Sequence, residues 1–263
     1  IRNLINDNND NDIAITSDDK NPINFFELKK HIYNISGQLS GNGILKKDRA
    51  AIVLPNGPEM ATAFLAVSSY MSAAPLNPSY KTNEYEFYLK DLNPKIVIVE
   101  KNSTNLVVKA AHKLGIETCE IKKIEGAPAG LFNLYNSSKS FEISNEDEEA
   151  LVLHTSGTTS RPKVVPLTNK NIYSSAVNIS NTLNLTSSDH CYNIMPLFHI
   201  HGLIAILSSS MYAGASVYTS AGFNGVFTGR STVFEAMTQV MTPVLARPLP
   251  VGKSISIVQD GVK

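Results

Sequence analysis

The stretch Leu151–Asn171, L-V-L-H-T-S-G-T-T-S-R-P-K-V-V-P-L-T-N-K-N, joins an apolar run to a loop rich in hydroxyl groups. The loop begins with an unbroken series of Ser, Thr and Gly residues: Thr155, Ser156, Gly157, Thr158, Thr159 and Ser160. One arginine comes next, and Pro162 and Lys163 follow it. Such a loop offers hydroxyl groups, backbone N–H groups and one cation to a polyanion. The stretch therefore predicts a triphosphate-binding loop in which Lys163 supplies the positive charge.

This loop differs from a Walker A phosphate loop. The pattern G-x-x-x-x-G-K-[ST] requires Gly where the chain has Pro162, and Ser or Thr where it has Val164. A Ser/Thr-rich surface turn is the alternative interpretation of any such cluster. The unbroken series of hydroxyl and glycine positions, closed by Pro-Lys, favours the phosphate site.

Hydrophobic periodicity along the chain predicts alternating helices and strands, which indicates parallel βαβ units and an α/β fold. Asn24 and Glu27 predict a capping box at the start of the first helix. Helices are predicted at Asn24–Gly41, from Pro58 onward, at Thr82–Leu92, Leu106–Leu114, from Thr168 onward, and at His201–Tyr212. Strands are predicted at Ala50–Leu54, Ile96–Val99, Ile116–Ile121, Tyr192–Met195 and Ala215–Thr219.

Two segments have no such pattern. Residues 1–12 predict a hydrated loop, and Lys122–Glu149 predicts irregular backbone. The acidic run Glu146–Glu149 is interpreted as a solvated approach to the next strand rather than a metal site, because consecutive carboxylates point in different directions. The strand ending at Met195 is expected to deliver Pro196 and His199 to the crevice where open α/β sheets bind ligands.

The segment T-S-G-T-T-S-R-P-K, residues 155–163, resembles the phosphate-binding signature of adenylate-forming enzymes: acyl-CoA synthetases, luciferases and peptide-synthetase adenylation domains. Usual members have Gly at the positions of Ser160 and Val164. Ser160 and the following V-P-L are closer to the oxalate–CoA ligase branch, also called peroxisomal CoA synthetase-like proteins. A second segment, M-P-L-F-H-I-H-G-L at Met195–Leu203, resembles the family's acyl-pocket segment, and its second histidine, His201, is typical of that branch.

The resemblance runs from about Asn24 to Gly222 and implies the parallel-sheet βαβ layers of the adenylate-forming N-terminal domain. It also implies a reaction. A carboxylate attacks the α-phosphorus of ATP to give an acyl-adenylate and pyrophosphate, and the thiol of coenzyme A then displaces AMP. This chemistry needs stabilisation of charge more than acid–base groups. ATP, Mg²⁺, coenzyme A and a small carboxylic acid are the implied cofactor and substrates.

The same resemblance assigns roles to single residues. Residues 155–160 bind the β- and γ-phosphates with Lys163, His199 faces the carboxylate and adenylate, and Thr238 helps to bind Mg²⁺ or the α-phosphate. The implied catalytic residues are therefore Lys163, His199 and Thr238. The substrate-binding residues are His199, His201 and Gly202, with His201 opposite a second acidic group. For either histidine, the alternative is a hydrogen-bonded core or turn residue.

The chain departs from the family after Phe223. Thr232–Gln239 resembles a later motif, but Gln239 stands where relatives use a Glu near Mg²⁺, which makes it a weak metal ligand. Arg247–Ser254 resembles the stretch before the end of the N-domain, and the hinge, the lid domain and its catalytic lysine have no counterpart. The prediction is one AMP-binding N-terminal domain over residues 1–263, with internal segments missing near 222–236. Natural shortening and joined pieces both remain open explanations.

The composition of the 263 residues bounds the class of protein. Hydrophobic residues make up 43%, and Lys plus Arg equals Asp plus Glu at 23 each, which argues against a nucleic-acid or anionic-membrane partner. The cysteines, Cys119 and Cys191, exclude a disulfide framework and suggest a reducing compartment. No apolar run of about 18 residues and no secretory leader pattern occur. These features predict a soluble protein without stable membrane insertion, in the cytoplasm or the peroxisome.

Three hypotheses about function remain open at this stage. The first is an ATP-dependent acid–CoA ligase that acts on a small dicarboxylate such as oxalate. The second is a 4-coumarate or fatty-acid ligase, which a long apolar pocket would favour. The third is a non-catalytic nucleotide- or acyl-binding remnant, suggested by Gln239 and the missing lid. The oligomeric state is not indicated by the sequence.

Overall fold

The computed structural model describes residues 1–18, 20–154 and 162–220 of the chain. Several sequence predictions therefore lie outside the described residues: the phosphate loop at 155–160, the segment near 222–236, the catalytic and metal roles of Thr238 and Gln239, and the stretch Arg247–Ser254.

The described residues form alternating helices and strands, as predicted. The strands are β1 (Ile13–Ser17), β2 (Lys20–Asn24), β3 (Arg49–Val53), β4 (Ser72–Pro75), β5 (Ile96–Val99), β6 (Glu117–Glu120), β7 (Lys122–Lys123), β8 (Phe132–Asn133), β9 (Glu149–His154), β10 (Val164–Thr168), β11 (His190–Asn193) and β12 (Ser216–Thr219). The α-helices are α1 (Phe25–Gly41), α2 (Pro58–Ser68), α3 (Thr82–Leu92), α4 (Leu106–Lys113), α5 (Asn169–Leu183) and α6 (Ser209–Ala213). A 3₁₀-helix spans Arg2–Leu4, and a π-helix, His201–Ser208, leads directly into α6.

The larger sheet has the strand order β10-β9-β4-β3-β5-β6. From β9 to β6 all neighbours are parallel, which confirms the prediction of parallel βαβ units. The edge strand β10, for which the sequence analysis made no prediction, pairs antiparallel with β9. The connection at residues 155–163 is shorter than the crossover that a parallel pair requires, so these two strands form a hairpin.

The smaller sheet has the order β11-β12-β1-β2, and the sequence analysis did not predict its strands β1 and β2. Strand β1 is parallel to β12 and antiparallel to β2. The prediction of a hydrated loop over residues 1–12 is partly wrong, because Ile1, Leu4 and Ile5 are buried. Their spacing places them on one side of a short helix, and the Asn- and Asp-rich residues that follow obscure this pattern in the sequence.

The helices confirm the local signals of the sequence. Asn24 accepts a hydrogen bond from the Glu27 backbone N–H at 2.8 Å, and the Glu27 carboxylate accepts one from the Asn24 N–H at 3.3 Å, which completes the capping box. The apolar stripe that helical spacing predicts for α1, Leu28, Ile32, Ile35 and Leu39, is fully buried. Pro58 occupies the first position of α2 and Thr168 caps α5, both as predicted.

The acidic run before β9 is not simply solvated. Glu149 is the first residue of β9 and forms a bidentate ion pair with Arg49 of β3, with N–O distances of 2.7 and 2.9 Å. Glu148 pairs with Lys46 at 3.1 Å. Because β4 lies between β3 and β9, the Arg49 pair links two strands across a third.

One buried histidine on α1 predicts how stability depends on pH. The side chain of His31 packs edge-on against Phe132 at 4.8 Å, and its Nε2 has no hydrogen-bond partner among the described residues. Burial lowers the pKa of His31 from 6.5 to about 4. The unfolded chain therefore takes up this proton first, and the stabilisation present above pH 6.5 is lost as the pH falls toward 4, by about 3 kcal/mol in total.

Denaturant unfolding of wild type and His31→Leu between pH 4 and 7.5 measures this effect. We expect the free energy of unfolding to fall less steeply with acid in His31→Leu. The exposed His112, changed to Leu, serves as the control and should keep the wild-type slope. Equal slopes for wild type and His31→Leu would show that His31 does not carry the effect.

Candidate functional site

A cavity of about 460 Å³ lies at the carboxyl ends of β4 and β9. Its walls come from the end of β4, the region of α3, the β9–β10 hairpin and the segment Phe198–Ile200. This is the edge of a parallel sheet where α/β proteins place ligands. The cavity is therefore the candidate functional site of the described residues.

The wall next to α3 is held by side-chain hydrogen bonds and aromatic contacts. The Tyr85 hydroxyl donates to the Asn77 carbonyl at 2.9 Å, and the Asn105 amide donates to the Pro78 carbonyl at 2.8 Å. The rings of Tyr80 and Tyr88, which both line the cavity, stack at 4.8 Å. Burial raises the pKa of Tyr85 to about 12 and also raises that of Tyr80, so both phenols stay protonated at neutral pH.

His199 lies on the opposite wall, in a turn fixed by backbone contacts. The Leu197 N–H donates to the Asn56 side chain at 2.8 Å, and the His199 N–H donates to the Pro196 carbonyl at 3.0 Å. Leu197 is fully buried, whereas His199 is exposed and lines the cavity. The structure thus places His199 at the carboxyl edge, as the sequence predicted from the strand that precedes it.

His201 and Gly202 begin the π-helix and differ in environment. His201 is exposed and is not among the described residues that line the cavity. Gly202 is buried, and a Cβ there would lie 2.5 Å from the Pro196 carbonyl oxygen. Only glycine allows the helix to approach the turn this closely, so Gly202 acts on the position of His199 through the backbone.

Lys163 lies at the stem of the β9–β10 hairpin. It is exposed and directly precedes Val164, whose register partner across the hairpin is His154. The remaining predicted phosphate ligands, 155–160, occupy the connection between these two strands and lie outside the described residues. The described structure therefore places one member of the predicted phosphate site beside the cavity wall formed by the same hairpin.

His154 is a site residue that sequence reasoning missed. Its Nε2 lies 3.0 Å from Oδ2 of Asp91 on α3, its side chain is only 7% exposed, and its ring meets Tyr88 edge-on at 4.6 Å. The only sequence signal was its place immediately before the hydroxyl-rich loop. Asp91 lies far away along the chain, so the pair becomes visible only in the fold.

The described residues contain neither a cluster of metal ligands nor a membrane-spanning helix. Within residues 1–18, 20–154 and 162–220, no three His, Cys, Asp or Glu side chains form a group that could hold a metal ion. The residues predicted near Mg²⁺, Thr238 and Gln239, lie outside this part of the chain. No helix in the described part is long and apolar enough to cross a bilayer.

Comparison with protein families matches residues 5–245 to the family described as AMP-binding enzyme. The chain belongs to this family. An oxalate–CoA ligase of Arabidopsis thaliana is 40% identical over 185 residues, which cover 68% of this chain and 36% of the relative. An oxalate–CoA ligase of Saccharomyces cerevisiae is 36% identical over 208 residues, which cover 69% and 38%. The chain of this AMP-binding protein thus spans less than half the length of these relatives.

Solved structures of other proteins share the fold. Apo MatB from Rhodopseudomonas palustris matches with a TM-score of 0.74 at 23% identity, over 85% of this chain and 45% of that one. The o-succinylbenzoate CoA synthetase MenE from Bacillus subtilis, in complex with the acyl-adenylate intermediate OSB-AMP, matches with a TM-score of 0.67 at 29% identity, over 81% and 53%. The predicted fold class and the resemblance to adenylate-forming enzymes are therefore confirmed.

Proposed function

We propose that the full-length protein is an AMP-forming acid–CoA ligase that uses ATP and coenzyme A. The observation that carries this proposal is the cavity at the carboxyl edge, which His199 and the β9–β10 hairpin line from two sides. Membership of the AMP-binding family and the similarity to proteins named as CoA ligases support it. Both cysteines are free, which is consistent with a reducing compartment, the cytoplasm or the peroxisome.

The proposed chemistry asks the protein to neutralise charge around a phosphoryl centre. Lys163, with residues 155–160, holds the β- and γ-phosphates, and His199 faces the carboxylate that attacks the α-phosphorus. Mg²⁺, when bound, shields charge on the phosphates, and Thr238 and Gln239 are the residues proposed near it. Because these two lie outside the described residues, no step is assigned to the metal.

The proposed acid is a small dicarboxylate, with oxalate as the first choice. Relatives named as oxalate–CoA ligases are 36–40% identical over their matched parts. After one carboxylate binds at the adenylating centre, a dicarboxylate leaves a second charge that is costly to bury unpaired. His201, two residues after His199, together with Gly202 completes the proposed substrate-binding segment.

The test is product formation by the full-length protein with ATP, Mg²⁺ and coenzyme A. Oxalate, malonate, hexanoate and 4-coumarate are compared in parallel, and thioester, AMP and pyrophosphate are quantified. We expect oxalyl-CoA with equal amounts of AMP and pyrophosphate, and the highest kcat/KM for oxalate. A higher kcat/KM for either monocarboxylate would reject oxalate as the substrate. Absence of thioester with every acid would reject the ligase function.

A further inference from the structure

We propose that His154 and Asp91 form a positioning pair that fixes the stem of the β9–β10 hairpin and, through it, the placement of Lys163 for nucleotide binding. This inference rests on the proposed function, because it concerns how the same site is held.

The contacts tie the end of β9 to α3. His154 is the last residue of β9, and its imidazole lies against Asp91 at 3.0 Å and against the ring of Tyr88 at 4.6 Å. Tyr88 in turn stacks on Tyr80. The imidazole is thus held by one polar and one aromatic contact from the same helix, and His154 and Tyr88 both line the cavity.

The sheet itself gives little support at this level. Ala73 of β4 is the register partner of Leu151, so Pro75, where β4 ends, is level with Leu153. His154 therefore extends one residue beyond its parallel neighbour and retains a strand partner only at Val164 of the edge strand β10. On the β4 side of His154, the side-chain contacts with α3 therefore take the place of a paired strand residue.

The contribution of the His154–Asp91 contact to stability is small, which favours a positioning role over a stabilising one. The side chain of Asp91 is 40% exposed, and water weakens electrostatic contacts that involve an exposed group. Such a pair adds little to the free energy of unfolding. Its geometric effect is larger, because Lys163 directly precedes Val164, and small displacements at a binding group reduce affinity strongly.

The experiment measures ATP affinity by calorimetry on the full-length protein without acid, together with the KM for oxalate and the melting temperature. His154→Phe keeps the ring against Tyr88 but removes the nitrogen, and Asp91→Ala removes the acceptor. Asp91→Asn retains an acceptor oxygen and is the conservative rescue. Glu86→Ala is the matched control, because it removes a side-chain contact of α3 with Lys113 at 2.7 Å, and neither Glu86 nor Lys113 lines the cavity.

We expect His154→Phe and Asp91→Ala each to weaken ATP binding about tenfold, and the double variant to be no weaker than either one, as for a coupled pair. Asp91→Asn and Glu86→Ala should keep the ATP affinity within about twofold of wild type. The KM for oxalate should stay within the same range in Asp91→Ala, because Asp91 does not line the cavity. Unchanged ATP affinity in His154→Phe and Asp91→Ala would overturn the inference. So would a KM for oxalate in Asp91→Ala that rises as much as its ATP affinity falls, or a loss of ATP affinity in Glu86→Ala of the same size.

The two proposals fail differently. Wild type that binds ATP but forms no thioester rejects the ligase function, while the ATP affinities of the variants still decide the role of the pair. Wild type that forms thioester, with variants of unchanged ATP affinity, rejects only the pair. Failure of wild type to bind ATP overturns both.

Discussion

Lys163→Ala is expected to weaken ATP binding by about one hundredfold, which corresponds to the roughly 2–4 kcal/mol lost with one stabilising donor. The lysine is a point charge at the stem of the β9–β10 hairpin, and the proposed role is to neutralise the β- and γ-phosphates. A ligand that prefers the native state raises the melting temperature, so the ATP-induced shift should largely disappear. Calorimetry with ATP then gives the affinity directly.

Lys170→Ala is the matched control for this measurement. Lys170 is an exposed lysine on the neighbouring helix α5, where it lies 3.7 Å from Glu146. Its loss should leave the ATP-induced shift unchanged. If Lys163→Ala responds to ATP like wild type and Lys170→Ala, Lys163 does not hold the phosphates and the assignment of the loop is wrong.

The second large effect concerns the two histidines after β11. His199→Ala is expected to lower kcat/KM for every acid, because His199 lines the cavity that the proposal assigns to the reacting carboxylate. His201→Leu is expected to lower kcat/KM for oxalate by about tenfold more than for hexanoate, because a second carboxylate buried without a partner costs several kcal/mol. The measurement is kcat/KM for both acids in both variants.

The two histidines differ in their position relative to the cavity. His199 is on the cavity wall, whereas His201 is exposed at the first residue of the π-helix and is not among the described residues that line the cavity. A loss restricted to oxalate in His201→Leu would place the second carboxylate on that side of the turn. Equal losses for oxalate and hexanoate would make His201 a structural residue. The exposed His112, changed to Leu, controls for loss of a histidine elsewhere.

The features that the sequence predicted well are local ones. The Asn24–Glu27 capping box, Pro58 at the start of α2 and the stripe of α1 each depend on residues within a few positions of one another. The position of His199 could also be predicted, because it follows a strand, and the structure places it at the cavity. Interactions between residues close together in the sequence determine these elements, so their presence and position could be predicted.

The features that escaped prediction depend on distant partners. The antiparallel pairing of β10 differs from the parallel pairing in the rest of the larger sheet. The only sequence signal for it is the short connection, residues 155–163. The π-helix has the apolar composition of an ordinary helix, so the sequence predicts a helix but not its type. The contact between His154 and Asp91 requires α3 to pack beside β9, which no local pattern encodes.

The order of strands in the smaller sheet has a consequence for synthesis on the ribosome. Ile15 of β1 pairs with Val217 of β12, so the hairpin of β1 and β2 emerges about 200 residues before the strand that covers its edge. At translation rates of about 5–20 residues per second, this delay is roughly 10–40 s. During that time β1 presents unpaired backbone groups, the kind of edge that invites aggregation. This edge of β1 can therefore be covered by its native partner only after β12 has been made.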